Sequence, residues 1–145
     1  FLGLTFNWGI IMGWSSIANN ISIEAIILYF SAIFWTLGYD TIYGLQDIHD
    51  DEIIGVKSTS IKFKNNVKTF VGICYGLSAF FILLLFFKMN INNYFLPLVA
   101  LFVASLIYQL RIFKISKPVS CLNAFKTNNI TGFIMFILIF SFSWS

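Results

Sequence analysis

The residues best suited to chemistry in this chain are carboxylates crowded into one short stretch. Five of the six acidic residues fall within thirteen consecutive positions: Asp40, Asp47, Asp50, Asp51 and Glu52. The surrounding sequence is strongly apolar, and a carboxylate close to lipid is costly unless it serves a pathway or a site. A functional site is therefore expected in the segment from Tyr39 to Ser60.

If the helix that precedes this stretch continues through Asp51, three carboxylates fall on one helical face. Asp40, Asp47 and Asp51 are separated by seven and four residues. At about 100° per residue, these offsets place the three within roughly 20° of one line, with Tyr43 about 60° to one side. Carboxylates this close repel each other, so a cation is expected between them. Mg²⁺ suits the position because it takes one or two carboxylates together with phosphate oxygens.

Other interpretations compete with a metal site. The acids could form a solvated loop, pair with nearby lysines as a structural network, or attract cations without turnover. Spacing alone does not decide between them, and an acidic run at a membrane boundary is more often solvated than catalytic. Zinc is disfavoured because His49 is the only histidine and has no His or Cys near it in the sequence.

The composition indicates what kind of scaffold carries these acids. The chain is 59% hydrophobic and 10% charged, with a mean hydropathy of +0.86, whereas about a quarter of the residues are charged in soluble domains. Repeated apolar runs of about twenty residues indicate membrane helices. Cys74 and Cys121 lack a CxxC pattern and are expected to be free thiols. The net charge of +3 forms no nucleic-acid patch.

We therefore predict an all-α membrane protein in a single integral-membrane domain. Five spans are expected, at about residues 1–18, 23–43, 67–87, 94–110 and 129–144. Four cations follow the second span and four follow the fourth, against none after the first and one after the third. The positive-inside rule places the two cation-rich loops, and the aspartate-rich stretch with them, on the cytoplasmic or matrix side.

The aspartate-rich stretch also resembles a known motif. Residues 39–51 read Tyr-Asp-Thr-Ile-Tyr-Gly-Leu-Gln-Asp-Ile-His-Asp-Asp, and residues 54–59 read Ile-Gly-Val-Lys-Ser-Thr. This pattern resembles the second aspartate-rich motif of the UbiA superfamily of intramembrane prenyltransferases. Its Tyr-Asp-Thr opening and Gly-x-Lys-Ser-Thr close most resemble the 4-hydroxybenzoate polyprenyltransferases of ubiquinone biosynthesis. Gly44, Ile48 and His49 depart from the usual residues of the motif.

Two weaker stretches extend the resemblance over nearly the whole chain. They are Leu2-Gly3 with Phe6-Asn7-Trp8-Gly9, and Ala124-Phe125 with Asn128-Asn129. The resemblance covers only the C-terminal half or so of a family member, and the family's first aspartate-rich motif has no counterpart here. We therefore expect a missing N-terminal half of the same protein as a partner, and no turnover by these residues alone.

The resemblance implies an activity. Similar enzymes transfer a polyprenyl group from polyprenyl diphosphate to an aromatic acid, here 4-hydroxybenzoate, with Mg²⁺ in the membrane. It implies Asp47 and Asp51 as the Mg²⁺ ligands, with Asp40 as a further contributor. The bacterial or the mitochondrial inner membrane is the expected location.

Three further residues receive expected roles within the same resemblance. Tyr43 lines the cavity, and Tyr39 and Tyr43 are placed to steady a carbocation through their aromatic faces. Lys57 is expected to contact diphosphate oxygens, although a role as a positive-inside anchor accounts for it equally well.

Two alternative functions remain open. Other UbiA-type enzymes use naphthoate, haem, chlorophyllide or glyceryl phosphate as acceptor. A cation-binding membrane transporter is an alternative from a different class, since transporters carry intramembrane charges and often inverted repeats. No internal repeat is apparent here, and the acids lie at one end of a span, which favours the enzyme.

Overall fold

The structure is a computed structural model that describes residues 2–142, and helices dominate it. In chain order they are α1 (Leu2–Phe6), α2 (Trp8–Ala18), α3 (Ile23–Tyr43), α4 (Ile48–Ile54), α5 (Thr59–Lys62), α6 (Val67–Lys88), α7 (Leu96–Ile112) and α8 (Pro118–Phe142). Short 3₁₀ turns at Lys64–Asn66 and Asn93–Phe95 lead into α6 and α7. The described residues contain no β-strand, so the predicted all-α class is confirmed.

Within residues 2–142, four helical stretches are long and apolar enough to cross a membrane by length and composition: Ile23–Tyr43, Lys64–Lys88, Asn93–Ile112 and Pro118–Ser141. They run alternately up and down. Lys88, at the end of α6, lies 3.5 Å from Glu24 in the first turn of α3, which fixes one end of the bundle. The aspartate-rich turn and both cation-rich connections therefore share the opposite end.

The first predicted span differs from the expectation of one continuous helix over 1–18. It is divided at Asn7 into pieces of 5 and 11 residues. The Asn7 side-chain amide donates to the Gly3 carbonyl at 2.8 Å and to Thr36 Oγ1 on α3 at 2.8 Å. A side chain that bonds to backbone and to a neighbouring helix provides a cause for the break. The five expected spans thus become four continuous helices and one interrupted segment.

The last helix also differs from the prediction, because it begins at Pro118 and not near residue 129. Proline is tolerated in the first turn, where its missing N–H has no intrahelical partner to lose. Lys126, one of the four cations counted after the fourth span, lies on this helix. Three residues of the predicted spans, Phe1, Ser143 and Trp144, lie outside the residues that the structure describes.

Helix α3 is the centre of the bundle and contacts α1, α2, α6 and α8. Its closest approach is to α6 at Gly38, where a Cβ atom would overlap the ring of Tyr75. Small residues let membrane helices approach closely and gain van der Waals contact. A second contact a few turns away is polar, since the buried Ser31 hydroxyl donates to the Ser78 carbonyl at 3.0 Å.

A buried hydrogen-bond chain extends from this contact to the other helices. Tyr75 on α6 donates its hydroxyl to Gln109 Oε1 on α7 at 2.5 Å. The amide of Gln109 donates to Thr131 Oγ1 on α8 at 2.8 Å. All three side chains are buried, and buried polar groups without partners are costly. The chain therefore fixes the relative positions of α6, α7 and α8 against α3.

We predict that Gly38→Ala destabilises the protein by about 1–3 kcal/mol, the usual cost of overpacking a filled core. The added methyl group would displace the Tyr75 ring and strain its bond to Gln109. Chemical unfolding in detergent micelles measures the change.

Gly76→Ala is the matched control. It also replaces a helical glycine, but nothing lies within 4 Å of the new methyl group, and alanine is the better helix former. Equal stability of the two variants would show that Gly38 is not held by close packing.

Candidate functional site

The helix that carries Asp40 ends at Tyr43, and a turn separates it from α4. The prediction of one helix running through Asp51 is therefore wrong, and Asp40 does not share a helix face with Asp47 and Asp51. The physical reason lies at Gly44, where the Ser60 side chain packs so closely that a Cβ on Gly44 would meet it. The next residue, Leu45, turns into the core and is 1% exposed.

Asp47 and Asp51 keep their mutual spacing on the short helix α4. Asp47 is its N-cap residue, and its carbonyl accepts the Asp51 N–H at 2.9 Å. The Asp47 side chain forms no capping hydrogen bond. Asp47 is exposed and Asp51 is half-buried. Two carboxylates one helical turn apart are thus open at the end of the bundle.

The neighbouring acids do not share this situation. The Glu52 carboxylate binds the Lys64 ammonium at 2.6 and 2.8 Å, so it belongs to an ion pair. Asp50 is exposed in the first turn of α4, and Asp40 is half-buried on α3. The interpretation of the acids as a structural network with nearby lysines thus holds for Glu52.

The donor set can be tested against a metal ion. Among residues 2–142, no three His, Cys, Asp or Glu side chains are grouped so that they could hold a metal. Zinc and calcium sites require more protein ligands than this. Mg²⁺ takes one or two carboxylates plus substrate phosphate oxygens, and Asp47 with Asp51 fits that pattern. The geometry therefore fits Mg²⁺ only together with an oxygen-rich ligand.

The loop with Lys57 is tied to the end of α3 by hydroxyl groups. Thr59 Oγ1 lies 2.8 Å from Thr41 Oγ1, and the buried Ser60 hydroxyl donates to the Thr41 carbonyl at 2.9 Å. The Ser58 hydroxyl caps α5 by accepting the Ile61 N–H. These bonds fix the backbone from which Lys57 extends, while its own side chain stays exposed.

A shallow pocket adjoins this loop. Its volume is about 380 Å³ and its lining is Val56, Lys57, Ser58, Thr59, Ile61 and Lys62. Lys57 and Lys62 are its two charged lining residues, whereas the Ser58 and Thr59 hydroxyls are already engaged with the Ile61 N–H and with Thr41. The sequence identified Lys57 but not the threonine and serine that position its loop, although both stand in the Gly-x-Lys-Ser-Thr-Ser run.

An aromatic cluster lies between α3 and α8. The ring centroids of Tyr39 and Tyr43 lie 6.0 and 4.7 Å from that of Phe125 on α8. Trp35 makes an edge contact with Tyr39 at 5.8 Å. The sequence analysis named the two tyrosines but not Trp35 or Phe125. Trp35, Tyr39 and Tyr43 recur every four residues, and that spacing was the available signal.

Several buried polar atoms in this region have no hydrogen-bond partner. They are Gln46 Nε2 in the turn before Asp47, Trp35 Nε1 and Asn128 Oδ1. Asn128 lies on α8 between Phe125 and Gly132, the two positions that contact the aromatic face of α3. Unpaired buried groups cost about 1–3 kcal/mol each, so each of these atoms calls for a partner such as an ordered water, an ion or a ligand.

The fold and this arrangement define a polytopic helical membrane protein with an acidic site at one end of its bundle. Comparison with known proteins then identifies the family of this chain. Residues 1–144 match the model of the UbiA prenyltransferase family. The chain belongs to that family, as its aspartate-rich motif indicates.

Individual relatives within the family show which of its members this chain is similar to. A 4-hydroxybenzoate octaprenyltransferase of Francisella tularensis subsp. novicida (strain U112) is 37% identical over 139 residues, which cover 94% of this chain and 48% of the relative. The mitochondrial 4-hydroxybenzoate polyprenyltransferase of Homo sapiens is 39% identical over 144 residues, covering 94% and 37% respectively. The chain thus spans about half or less of the length of these relatives. No solved structure gives a significant match.

We predict that Gly44→Ala and Ser60→Ala are strongly non-additive. Gly44→Ala alone places a methyl group against Ser60 Oγ and should cost about 1–3 kcal/mol. When Ser60 is already alanine, the obstructing oxygen is absent, so the same change should cost less by about 1 kcal/mol. A double-mutant cycle of unfolding free energies in detergent measures the coupling.

A coupling free energy below about 0.3 kcal/mol in this cycle would mean that the two effects are additive. That result would contradict the contact. Gly55→Ala is a useful comparison, because Gly55 has a φ of +78° and open space around it. Its cost comes from backbone strain and should not change in the Ser60→Ala background.

Proposed function

We propose that the complete protein containing this chain transfers a polyprenyl group from polyprenyl diphosphate to 4-hydroxybenzoate in ubiquinone biosynthesis. The observation that carries the proposal is the pair of open carboxylates, Asp47 and Asp51, one turn apart on α4. Family membership and the printed names of the relatives support the reaction and the acceptor.

In this proposal Asp47 and Asp51 would hold Mg²⁺ together with diphosphate oxygens, and Asp40, on α3 and not grouped with them as a third ligand, would act from outside the metal's direct ligands. When bound, Mg²⁺ supplies Lewis-acid stabilisation of the negative charge on the departing diphosphate.

The other residues act on the substrate. Lys57 offers a point charge to the diphosphate from a loop that Thr59 and Ser60 hold against α3. Tyr39 and Tyr43 present aromatic faces that attract the allylic cation, and Phe125 fixes the orientation of both rings. Because these rings are packed before substrate binds, little reorganisation is needed during the reaction.

The location and the remaining partners follow the same proposal. Eight of the nine Lys and Arg residues lie at the end of the bundle with the aspartate-rich turn. The positive-inside rule assigns that end to the cytoplasmic side of a bacterial inner membrane or the matrix side of a mitochondrial one. The first aspartate-rich motif is supplied by an N-terminal half, consistent with the partial coverage of the relatives.

We predict that Asp47→Asn or Asp51→Asn in the complete protein lowers Mg²⁺-dependent prenyl transfer about a hundredfold or more, the scale of losing one electrostatic contact to the transition state. Asparagine keeps the size of the side chain but removes the charge. A radiolabelled prenyl-transfer assay in membranes measures the rate.

Glu52→Gln is the control, since it removes an equal charge one residue from Asp51 and five residues from Asp47, from a carboxylate already paired with Lys64. It should retain most of the activity. A rate for Asp47→Asn equal to that of Glu52→Gln would exclude Asp47 from the site.

The acceptor is tested by offering the complete protein 4-hydroxybenzoate, a naphthoate and haem in parallel with one polyprenyl diphosphate. We expect product only with 4-hydroxybenzoate, and none after Mg²⁺ is removed with a chelator. Transfer to haem or naphthoate alone would overturn the choice of acceptor. Cation flux in liposomes without diphosphate release would instead indicate a transporter.

A further inference from the structure

The charges of this chain are divided along the sequence. All nine Lys and Arg residues follow Glu52, and no acidic residue comes after it. The connection between α7 and α8 therefore carries cations with no carboxylate anywhere near them in sequence. Arg111, Lys114 and Lys117 are all exposed there, and within residues 2–142 the only ion pairs engage Lys64 and Lys88.

This connection is a fixed turn. The Lys114 N–H donates to Ser120 Oγ at 2.8 Å, and the Ser120 hydroxyl lies 2.7 Å from the Lys117 carbonyl oxygen. The Lys117 N–H donates to the Lys114 carbonyl at 2.9 Å. Phe113 anchors the start of the turn and is completely buried. The two lysines therefore project from a backbone that is already ordered.

Neighbouring elements add positive potential to the same place. The Lys68 ammonium on α6 lies 5.6 Å from the centroid of the Phe113 ring, which brings a further cation to the base of the turn. Helix α8 begins at Pro118, and its N-terminus carries the positive end of the helix dipole. Each of these contributions favours an anion.

The turn also exposes apolar side chains beside its cations. Ile115 is 39% exposed and Val119 is 70% exposed. Both flanking helices are candidate membrane spans, so the five residues between them lie at a bilayer surface. An occupant that matches this surface combines a phosphate with hydrocarbon, because a free phosphate would leave Ile115 and Val119 without a partner.

We propose that the α7–α8 turn is a binding site for the headgroup of an anionic phospholipid. Lys114 and Lys117 contact the phosphate, and Ile115 and Val119 lie against the upper acyl chain. The positive-inside tendency explains the sign of the charge on this side, but it does not require an ordered turn or exposed apolar residues. The inference is independent of the prenyl-transfer proposal.

The test uses the complete protein in detergent micelles of neutral headgroup, titrated with phosphatidylglycerol or with phosphatidylcholine. Native mass spectrometry measures how much lipid is retained, and thermal unfolding measures the stabilisation. The test variant is Lys114→Gln with Lys117→Gln. The control variant, Lys62→Gln with Lys126→Gln, removes the same charge from two exposed lysines at the same end of the bundle but outside the turn. The variant Lys114→Arg with Lys117→Arg keeps both charges and tests whether positive charge at these positions is sufficient for lipid retention.

We expect the test variant to retain phosphatidylglycerol about tenfold less well or worse, as the loss of two basic residues near anionic lipid implies. The control and the arginine variant should bind like the unmodified protein, and phosphatidylcholine should not distinguish any of them. Equal loss in test and control variants would show diffuse surface charge and overturn the proposal. Unchanged retention in the test variant would overturn it as well.

A last arm separates lipid from free phosphate. Millimolar inorganic phosphate or diphosphate is added with the phosphatidylglycerol at constant ionic strength. We expect no displacement of the lipid, because the salt cannot replace contacts to Ile115 and Val119. Complete displacement of the lipid, together with thermal stabilisation of the protein by inorganic phosphate alone, would identify a site for soluble phosphates. That outcome would overturn the assignment to lipid.

Discussion

The contact on which the rest of this bundle depends is the approach of α3 to α6 at Gly38. With no side chain there, the Tyr75 ring lies directly on the α3 backbone, and its hydroxyl reaches Gln109 on α7. Gln109 in turn binds Thr131 on α8. In a bilayer the hydrophobic effect does not drive helices together, so close packing and interhelical hydrogen bonds must do so. This one chain of contacts joins all four long helices.

The functional end inherits its geometry from that packing. Because α6 is held against α3, the connection between them folds back onto the end of α3. There the Thr59 and Ser60 hydroxyls bind Thr41, and Gly44 accepts the close approach of Ser60. These contacts hold the basic loop against the end of α3, from which the turn to Asp47 and α4 follows.

The bundle end has two surfaces with different electrostatic character. Helix α4 and its N-cap carry the acids, of which Glu52 is neutralised by Lys64. The α7–α8 turn carries only cations, on a backbone ordered by Ser120. The proposed prenyl transfer uses the acidic surface, and the proposed lipid site uses the basic one.

The sequence by itself determined the membrane class, three of the long helices nearly to their ends, and the aspartate-rich site with its family. These follow from hydropathy and local spacing, which are properties of the chain alone. Only the tertiary structure decided that the first segment breaks at Asn7, that α3 ends at Tyr43, and that Phe125 joins the tyrosines. Each of those outcomes involves contacts between residues 16 or more positions apart, which local periodicity does not report.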